Sequence, residues 1–237
     1  MQPDRHIVTA KVANIKQETT STKSFDLIPY KGKIDFLPGQ WIDFFVSLNG
    51  REHVAGYSIT STPCNTEFIS LAVKNTGDDQ VTQYIHQSMV EGDTVSFSTG
   101  GTCVYIPEQG NAILIAGGIG ITPLVSIFRY IGEASNHRAT IIHSVSSCEE
   151  LLFTRELKDI CLQKPSQLTY AFTISGTSHH PTKGFSGRIN AEMLNKLEVS
   201  TFDTAFVCGP DSFVGSLSAQ LQKTGFNKVQ IKSETWW

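Results

Sequence analysis

The chain has 237 residues, enough for one large domain or two of ordinary size. A hydrophobic fraction of 40%, a charged fraction of 17% and no apolar run of membrane-spanning length fit a soluble globular protein without a membrane span. The formal charge of −3 argues against strong non-specific binding to nucleic acid.

Residues 7–18, 23–30, 41–48, 54–60, 68–74 and 93–99 are short segments rich in β-branched or aromatic side chains, and each is predicted to be a strand. Pro38-Gly39, Asn49-Gly50 and Glu91-Gly92-Asp93 supply turns between them. One short helix is predicted over Val81–Met89, after Asp78-Asp79. Six short strands with one interposed helix suggest a small antiparallel β-barrel over residues 1–106.

The pattern changes after Pro107-Glu108-Gln109-Gly110, and residues 107–237 read as a second, α/β domain. Strands predicted at 111–116, 139–145, 168–174, 203–208 and 228–232 alternate with helices at 123–133, 149–161, 190–197 and 211–223. Near-continuous apolar runs such as AILIA and AFVC suit strands covered on both faces, so the sheet should be parallel and doubly wound. Ser175–Gly187 is a polar loop whose His179-His180 pair has no third ligand at recognisable spacing, and His86 and His143 read as packing or surface groups. The five cysteines, Cys64, Cys103, Cys148, Cys161 and Cys208, are scattered without a CxxC pair, so no zinc or iron–sulfur site is expected. The start, MQPDRHIVTAKV, is neither a secretory apolar segment nor an Arg-rich presequence. With the odd cysteine count, it fits an intracellular, cytoplasmic protein, or a mitochondrial one if the chain is a processed form.

The run Asn111–Pro123, NAILIAGGIGITP, carries the clearest chemistry. An apolar strand empties into Gly117, Gly118 and Gly120, and a helix with Pro123 in its first turn follows. That arrangement brings backbone amides close to an anionic ligand, although the same glycines also suit a tight packing turn. The segment lacks both the Gly-Lys-Ser/Thr ending of a P-loop and the six-position dinucleotide spacing.

Five motifs in order, GYSITS at 56–61, IHQSMVEGDTV at 85–95, AGGIGITPL at 116–124, CGP at 208–210 and SETWW at 233–237, resemble the ferredoxin–NADP reductase superfamily. Within it, the Glu-x-Trp-Trp ending is similar to that of the oxidoreductase NAD-binding domain-containing protein 1 group. The resemblance implies a flavin-binding antiparallel barrel followed by a nicotinamide-nucleotide domain. It also implies hydride transfer from nicotinamide C4 to flavin N5, with the flavin carrying the redox chemistry.

The resemblance also implies roles for individual residues. Tyr57 would flank the flavin ring, Ser58 would sit at its N5, and Ile59 and Thr60 would offer backbone groups to its pyrimidine edge. Thr82 would meet the pyrophosphate. Gly117, Gly118, Gly120, Thr122 and Pro123 would line the nicotinamide dinucleotide, with Ser144 and Ser146 near its adenosine ribose. Cys208, Gly209 and Pro210 would lie beside the nicotinamide. Glu234 would organise the encounter and relay a proton, and Trp236 would cover the ring until nicotinamide displaces it, while Trp237 could stack, dock elsewhere or shield the site.

Two positions depart from the family pattern. Ala55 stands where an arginine usually pairs with the flavin phosphate, leaving Arg51 on the same strand face and Lys74 as substitutes. Asp79 replaces a glycine three residues before Thr82, and an inward carboxylate there would repel a pyrophosphate. FAD is the expected cofactor, with FMN as the alternative. Glu149 and Glu150 after the second α/β strand favour NADH over NADPH, against which Arg155 and Arg188 are the counter-candidates. The electron acceptor must be external: a redox protein, haem centre, quinone, free flavin or ferric complex. Direct reduction of a small acceptor and a noncatalytic, partner-binding protein with a degraded flavin site are the competing readings.

Overall fold

The computed structural model describes residues 6–77, 79–176 and 184–235. In the N-terminal half, alternation in the sequence becomes six strands: β1 (Val8–Thr19), β2 (Thr22–Pro29), β3 (Trp41–Leu48), β4 (Arg51–Ser58), β5 (Ile69–Lys74) and β6 (Thr94–Gly100). They form one antiparallel sheet in the order β4-β3-β6-β1-β2-β5. The sheet curls until its edges meet. Past the end of β4, Ile59 bridges to Leu71 of β5, and the Thr60 N–H donates to the Ser70 carbonyl at 2.8 Å. Inward residues at every second position, such as Ile42, Phe44 and Val46 of β3, fill the barrel with Phe25, Leu27 and Phe97. Helix α1 (Gln80–Gln87) closes one end by burying Val81 and Ile85.

The second half is a parallel sheet of β7 (Ala112–Gly117), β8 (Ala139–Val145), β9 (Leu168–Ile174), β10 (Phe185–Ser186), β11 (Thr204–Gly209) and β12 (Ile231–Thr235). Its order is β10-β9-β8-β7-β11-β12. Helices α2 (Ile121–Ala134) and α3 (Thr154–Gln163) pack on one face, and α4 (Ala191–Lys196) and α5 (Asp211–Lys223) on the other. β7 is therefore buried along its whole length, which is why its sequence shows no alternation. Succession runs outward from β7 through β8 on one side and resumes at β11 on the other. The crevice between the C-terminal ends of β7 and β11 is thus the switch point where doubly wound sheets take ligands.

Three predicted elements are redrawn. The helix expected over 149–161 breaks into a single turn at Cys148–Glu150 and α3, because Phe153 adopts a left-handed conformation (φ 59°) between them. β10 occupies two residues of the stretch read as a loop. The last strand starts three residues later than expected. The Asn227 side-chain oxygen accepts from the N–H groups of Val229 and Gln230 and folds 227–230 into a turn. That shift places Glu234 inside β12. Among the described residues, no helix is long and apolar enough to cross a membrane.

The halves are fastened at several points. From α2, the Ser126 hydroxyl donates to the buried Ser61 carbonyl at 2.6 Å, and the Arg129 guanidinium bonds the Thr60 carbonyl while forking onto Glu156. Tyr105, in the connector after β6, is buried in the core of the second half.

Candidate functional site

A cavity of about 540 Å³ runs along the C-terminal ends of β7, β8, β9 and β11, and it gathers Gly117, Gly118, Gly120, Ser144, Ser146, Gly209 and Pro210. Two of the glycines are required for different reasons. A Cβ on Gly120 would lie 2.4 Å from the Cys208 carbonyl oxygen, so the start of α2 is pressed directly against the end of β11. Gly118 has open space around it but a φ of +55°, which L side chains adopt only under strain. Helix α2 has no side-chain cap; Gly118, Ile119 and its N-cap residue Gly120 line the groove, and the Ile121 N–H donates back to the Gly118 and Ile119 carbonyls. The Thr122 hydroxyl donates to Ile119 O at 2.9 Å, while Pro123 is buried in the first helical turn, where its missing N–H does no harm.

His143, read from the sequence as a packing or surface group, is a packing group with a role at the glycine turn that the sequence did not reveal. Its side chain in β8 is fully buried, and its Nε2–H donates to the Gly118 carbonyl at 2.9 Å. Burial lowers its pKa to about 4, so the ring is neutral and pins the glycine turn from beneath. Glu150 also lines the groove. Its carboxylate accepts from the Ser146 N–H at 3.2 Å and pairs with Lys74 at 3.3 Å, linking β5 of the barrel to the second half. Arg188 lines the same groove, whereas Arg155 lines a separate cavity beside Glu156.

On the barrel side, a small cavity of about 40 Å³ is lined by Tyr57, Ser58, Thr82 and Thr122. It shares Lys74, Thr76 and Ile119 with the large groove, so the two cavities adjoin. Tyr57 packs edge-on against Phe44, and its hydroxyl meets the Thr82 hydroxyl at 2.9 Å. Burial pushes the Tyr57 phenol well above its ordinary range. The Thr82 hydroxyl in turn donates to Asp79, and the Thr82 N–H donates to the other Asp79 oxygen at 2.7 Å. Asp79 thus caps α1 and takes both groups that were expected to meet a pyrophosphate.

Other expectations change similarly. The Ile59 N–H donates to Gln40 O at 2.9 Å and the Thr60 N–H to Ser70, so neither amide is left for a flavin edge. Arg51 sits exposed opposite Leu48 at the far end of β4, six residues before Tyr57 and roughly 20 Å along the strand. It lines neither cavity.

Cys208 and Glu234 do come together. They are direct partners in the β11–β12 pairing, and Cys103 from the connector joins them, with the sulfurs and a carboxylate oxygen all within 4.8 Å of one another. The neighbouring Cys103 and complete burial hold the Cys208 thiol well above the usual range. Burial raises Glu234 to about 7, and its Oε2 is buried without a hydrogen-bond partner. Cys103 was not anticipated, because no short spacing connects it to the other two. Trp236, Trp237 and the His179-His180 pair lie outside the described residues.

Comparison with known proteins agrees with this architecture. Residues 9–105 match the oxidoreductase FAD-binding domain, and residues 114–218 match the oxidoreductase NAD-binding domain. An oxidoreductase NAD-binding domain-containing protein 1 from Xenopus laevis is 30% identical over 98% of this chain and 80% of its own length. The chain belongs to that family. Among solved structures, the flavohem-like FAD/NAD-binding domain of a nitric oxide dioxygenase from Vibrio cholerae shares the fold. It has a TM-score of 0.87 at 22% identity, with 97% of this chain and 98% of that chain covered. A ferredoxin NADP+ reductase from Neisseria gonorrhoeae with bound FAD and NADP gives a TM-score of 0.80 at 20% identity, with 98% and 99% covered.

The residues fit the two cofactors unequally. The glycine wall, the uncapped α2 and the 540 Å³ groove suit a dinucleotide. The Tyr57–Ser58 cavity suits the edge of a flavin ring, but the N-terminus of α1 is filled by the protein's own carboxylate.

Proposed function

We propose that the chain is an NADH-preferring flavoprotein reductase that moves hydride from nicotinamide C4 to flavin N5 and passes the electrons to an external acceptor. The observation that carries this reading is the adjacency of the two cavities through Lys74, Thr76 and Ile119, which would let a nicotinamide in the large groove meet a ring at Tyr57–Ser58. Flavin, when bound, supplies the ability to take two electrons as hydride and release them singly or together. The chain's own work is placement. Gly118, with open space around it, would admit the dinucleotide close to the backbone, Gly117 and Gly120 let that turn pack against Phe213 and the end of β11, and His143 bonds the Gly118 carbonyl. Ser58 and Thr122 line the barrel-side cavity and Gly209 and Pro210 line the large groove, while Cys208 and Glu234 sit behind them as register partners and line neither cavity. Proximity and orientation are the main catalytic contributions of such a site.

Glu150 supports the preference for NADH. Its carboxylate occupies the Ser146 amide and neutralises Lys74, so a 2′-phosphate there would meet a negative group. Arg188 is the residue that would oppose this preference. The test is anaerobic reduction of the FAD-loaded chain by each nucleotide. We expect the flavin band to bleach with a kcat/KM for NADH at least about tenfold above that for NADPH, a difference of about 1.4 kcal/mol. Absence of flavin binding at excess FAD removes the enzyme reading, and preference for NADPH removes the nucleotide assignment.

The capping of α1 by Asp79 favours a second reading, in which flavin is held weakly and the chain serves as a partner-binding or regulatory protein. The flavin-binding arm of the same experiment separates the two.

A further inference from the structure

We propose that Cys103, Cys208 and Glu234 form a binding site for one thiophilic divalent cation, zinc above all. Three separate segments deliver the ligands: the connector after β6 and the C-terminal ends of β11 and β12. Cys208 and Glu234 are register partners, so the parallel β11–β12 ladder fixes two of the three donors. The two sulfurs and a carboxylate oxygen already lie within 4.8 Å of one another. A tetrahedral zinc site, with Zn–S about 2.3 Å and Zn–O about 2.0–2.2 Å, has ligand–ligand edges of about 3.5–3.8 Å, which small side-chain rotations would reach. A second observation concerns the carboxyl group itself. Glu234 Oε2 is buried and accepts no hydrogen bond, a state that a native protein relieves with a water or an ion.

The donor chemistry selects the cation. Two thiolates favour zinc or cadmium over magnesium and calcium, which prefer all-oxygen shells. Three ligands leave the fourth tetrahedral position open to water. Among the described residues, this is the only group of three His, Cys, Asp or Glu side chains arranged to share an ion. Cys208 and Glu234 are also the pair expected beside the nicotinamide, so an ion held there would compete with that encounter, and binding of the ion itself is tested without either cofactor.

The test uses the full chain, reduced, treated with chelator and free of flavin and nicotinamide nucleotide. One cobalt(II) per chain should give the intense visible bands of a tetrahedral ion and a thiolate-to-cobalt charge-transfer band, both displaced by stoichiometric zinc(II). Cys103→Ser should weaken the charge-transfer band and lower zinc affinity by more than the roughly ten- to hundredfold attached to an outer-shell group. Glu234→Gln should keep the charge-transfer band while weakening binding. Alkylation mapped on the unaltered chain covers the case in which a variant does not fold. Zinc should slow the modification of Cys103 and leave the exposed Cys64 and Cys148 unchanged. A weak octahedral cobalt spectrum, zinc affinity unaltered by Cys103→Ser, or no protection of Cys103 would overturn the proposal.

Discussion

Replacing His143 with glutamine should flatten the acid side of the chain's stability profile. The imidazole is fully buried, donates from Nε2 to the Gly118 carbonyl, and has no hydrogen-bond partner at Nδ1. Burial carries its pKa from 6.5 down to about 4, and the hydrogen bond to the Gly118 carbonyl and the nearby Glu150 oppose this only in part. A base whose pKa falls on folding is protonated first in the unfolded chain. Stability is therefore complete above pH 6.5 and is lost as pH falls from 6.5 towards 4. At about 1.36 kcal/mol per unit the full effect is about 3 kcal/mol, of which about 2 kcal/mol falls between pH 7.5 and pH 5. For a chain of this size, 1 kcal/mol corresponds to roughly 2–4 °C in Tm. Thermal melts at matched ionic strength should show the unaltered chain losing roughly 4–8 °C more than His143→Gln over that interval. Glutamine keeps an amide donor for Gly118, so the two proteins should melt closely together at pH 7.5. Carboxylates common to both cancel in the comparison. Parallel pH profiles would refute the argument that a buried neutral histidine holds the turn.

Gly120→Ala should lower both Tm and NADH affinity, because the new Cβ meets the backbone at Cys208 and Gly209 and no flexible side chain can yield. Its cost should be about 1–3 kcal/mol, readable by melting and by quenching of NADH fluorescence. Asp79→Gly should leave stability within a few tenths of a kcal/mol, as glycine is a tolerable cap, yet free both Thr82 donors. FAD titration followed by flavin fluorescence should then tighten by about tenfold, and unchanged affinity would show that Asp79 does not obstruct the phosphates. Stoichiometric zinc should inhibit NADH-driven dye reduction by the unaltered chain and spare Cys103→Ser, whose uninhibited rate should be normal.

The division into barrel and α/β halves was legible because the hydrophobic period itself changes near residue 110. β7 shows why the glycine turn could be read as well. Burial on both faces leaves a bare apolar run, and its abrupt ending in glycines marks where the chain approaches another backbone. The same two-sided burial hides His143, since a strand without an exposed face gives no phase from which to place a polar residue. Cys103, Cys208 and Glu234 were illegible as a group for a different reason. Local spacing reveals metal sites built on one turn or hairpin, whereas these three meet only after the connector crosses to the β11–β12 edge. Asp79 was legible in part. Its charge was read as hostile to a phosphate, but its seat on the Thr82 amide is a helix-capping interaction and depends on where α1 starts.

That detail sets the two halves against each other. Each presents a helix N-terminus beside the adjoining cavities, and an N-terminus offers unpaired amides and the positive end of a dipole to an anion. At α2 no side chain intervenes, and Gly118 just before it has open space around it. At α1 the Asp79 carboxylate already fills the equivalent place, with Thr82 turned onto it and Tyr57 bonded behind. An incoming phosphate at α1 must displace a charge tethered by the chain itself, while at α2 no side chain stands in its way. Nicotinamide dinucleotide should therefore gain its affinity largely from its phosphates, and flavin largely from its ring. Removing the adenylate from FAD should then cost little affinity, so FMN and FAD should bind within about tenfold of each other. A much larger advantage for FAD would show that its phosphates are anchored by groups other than α1.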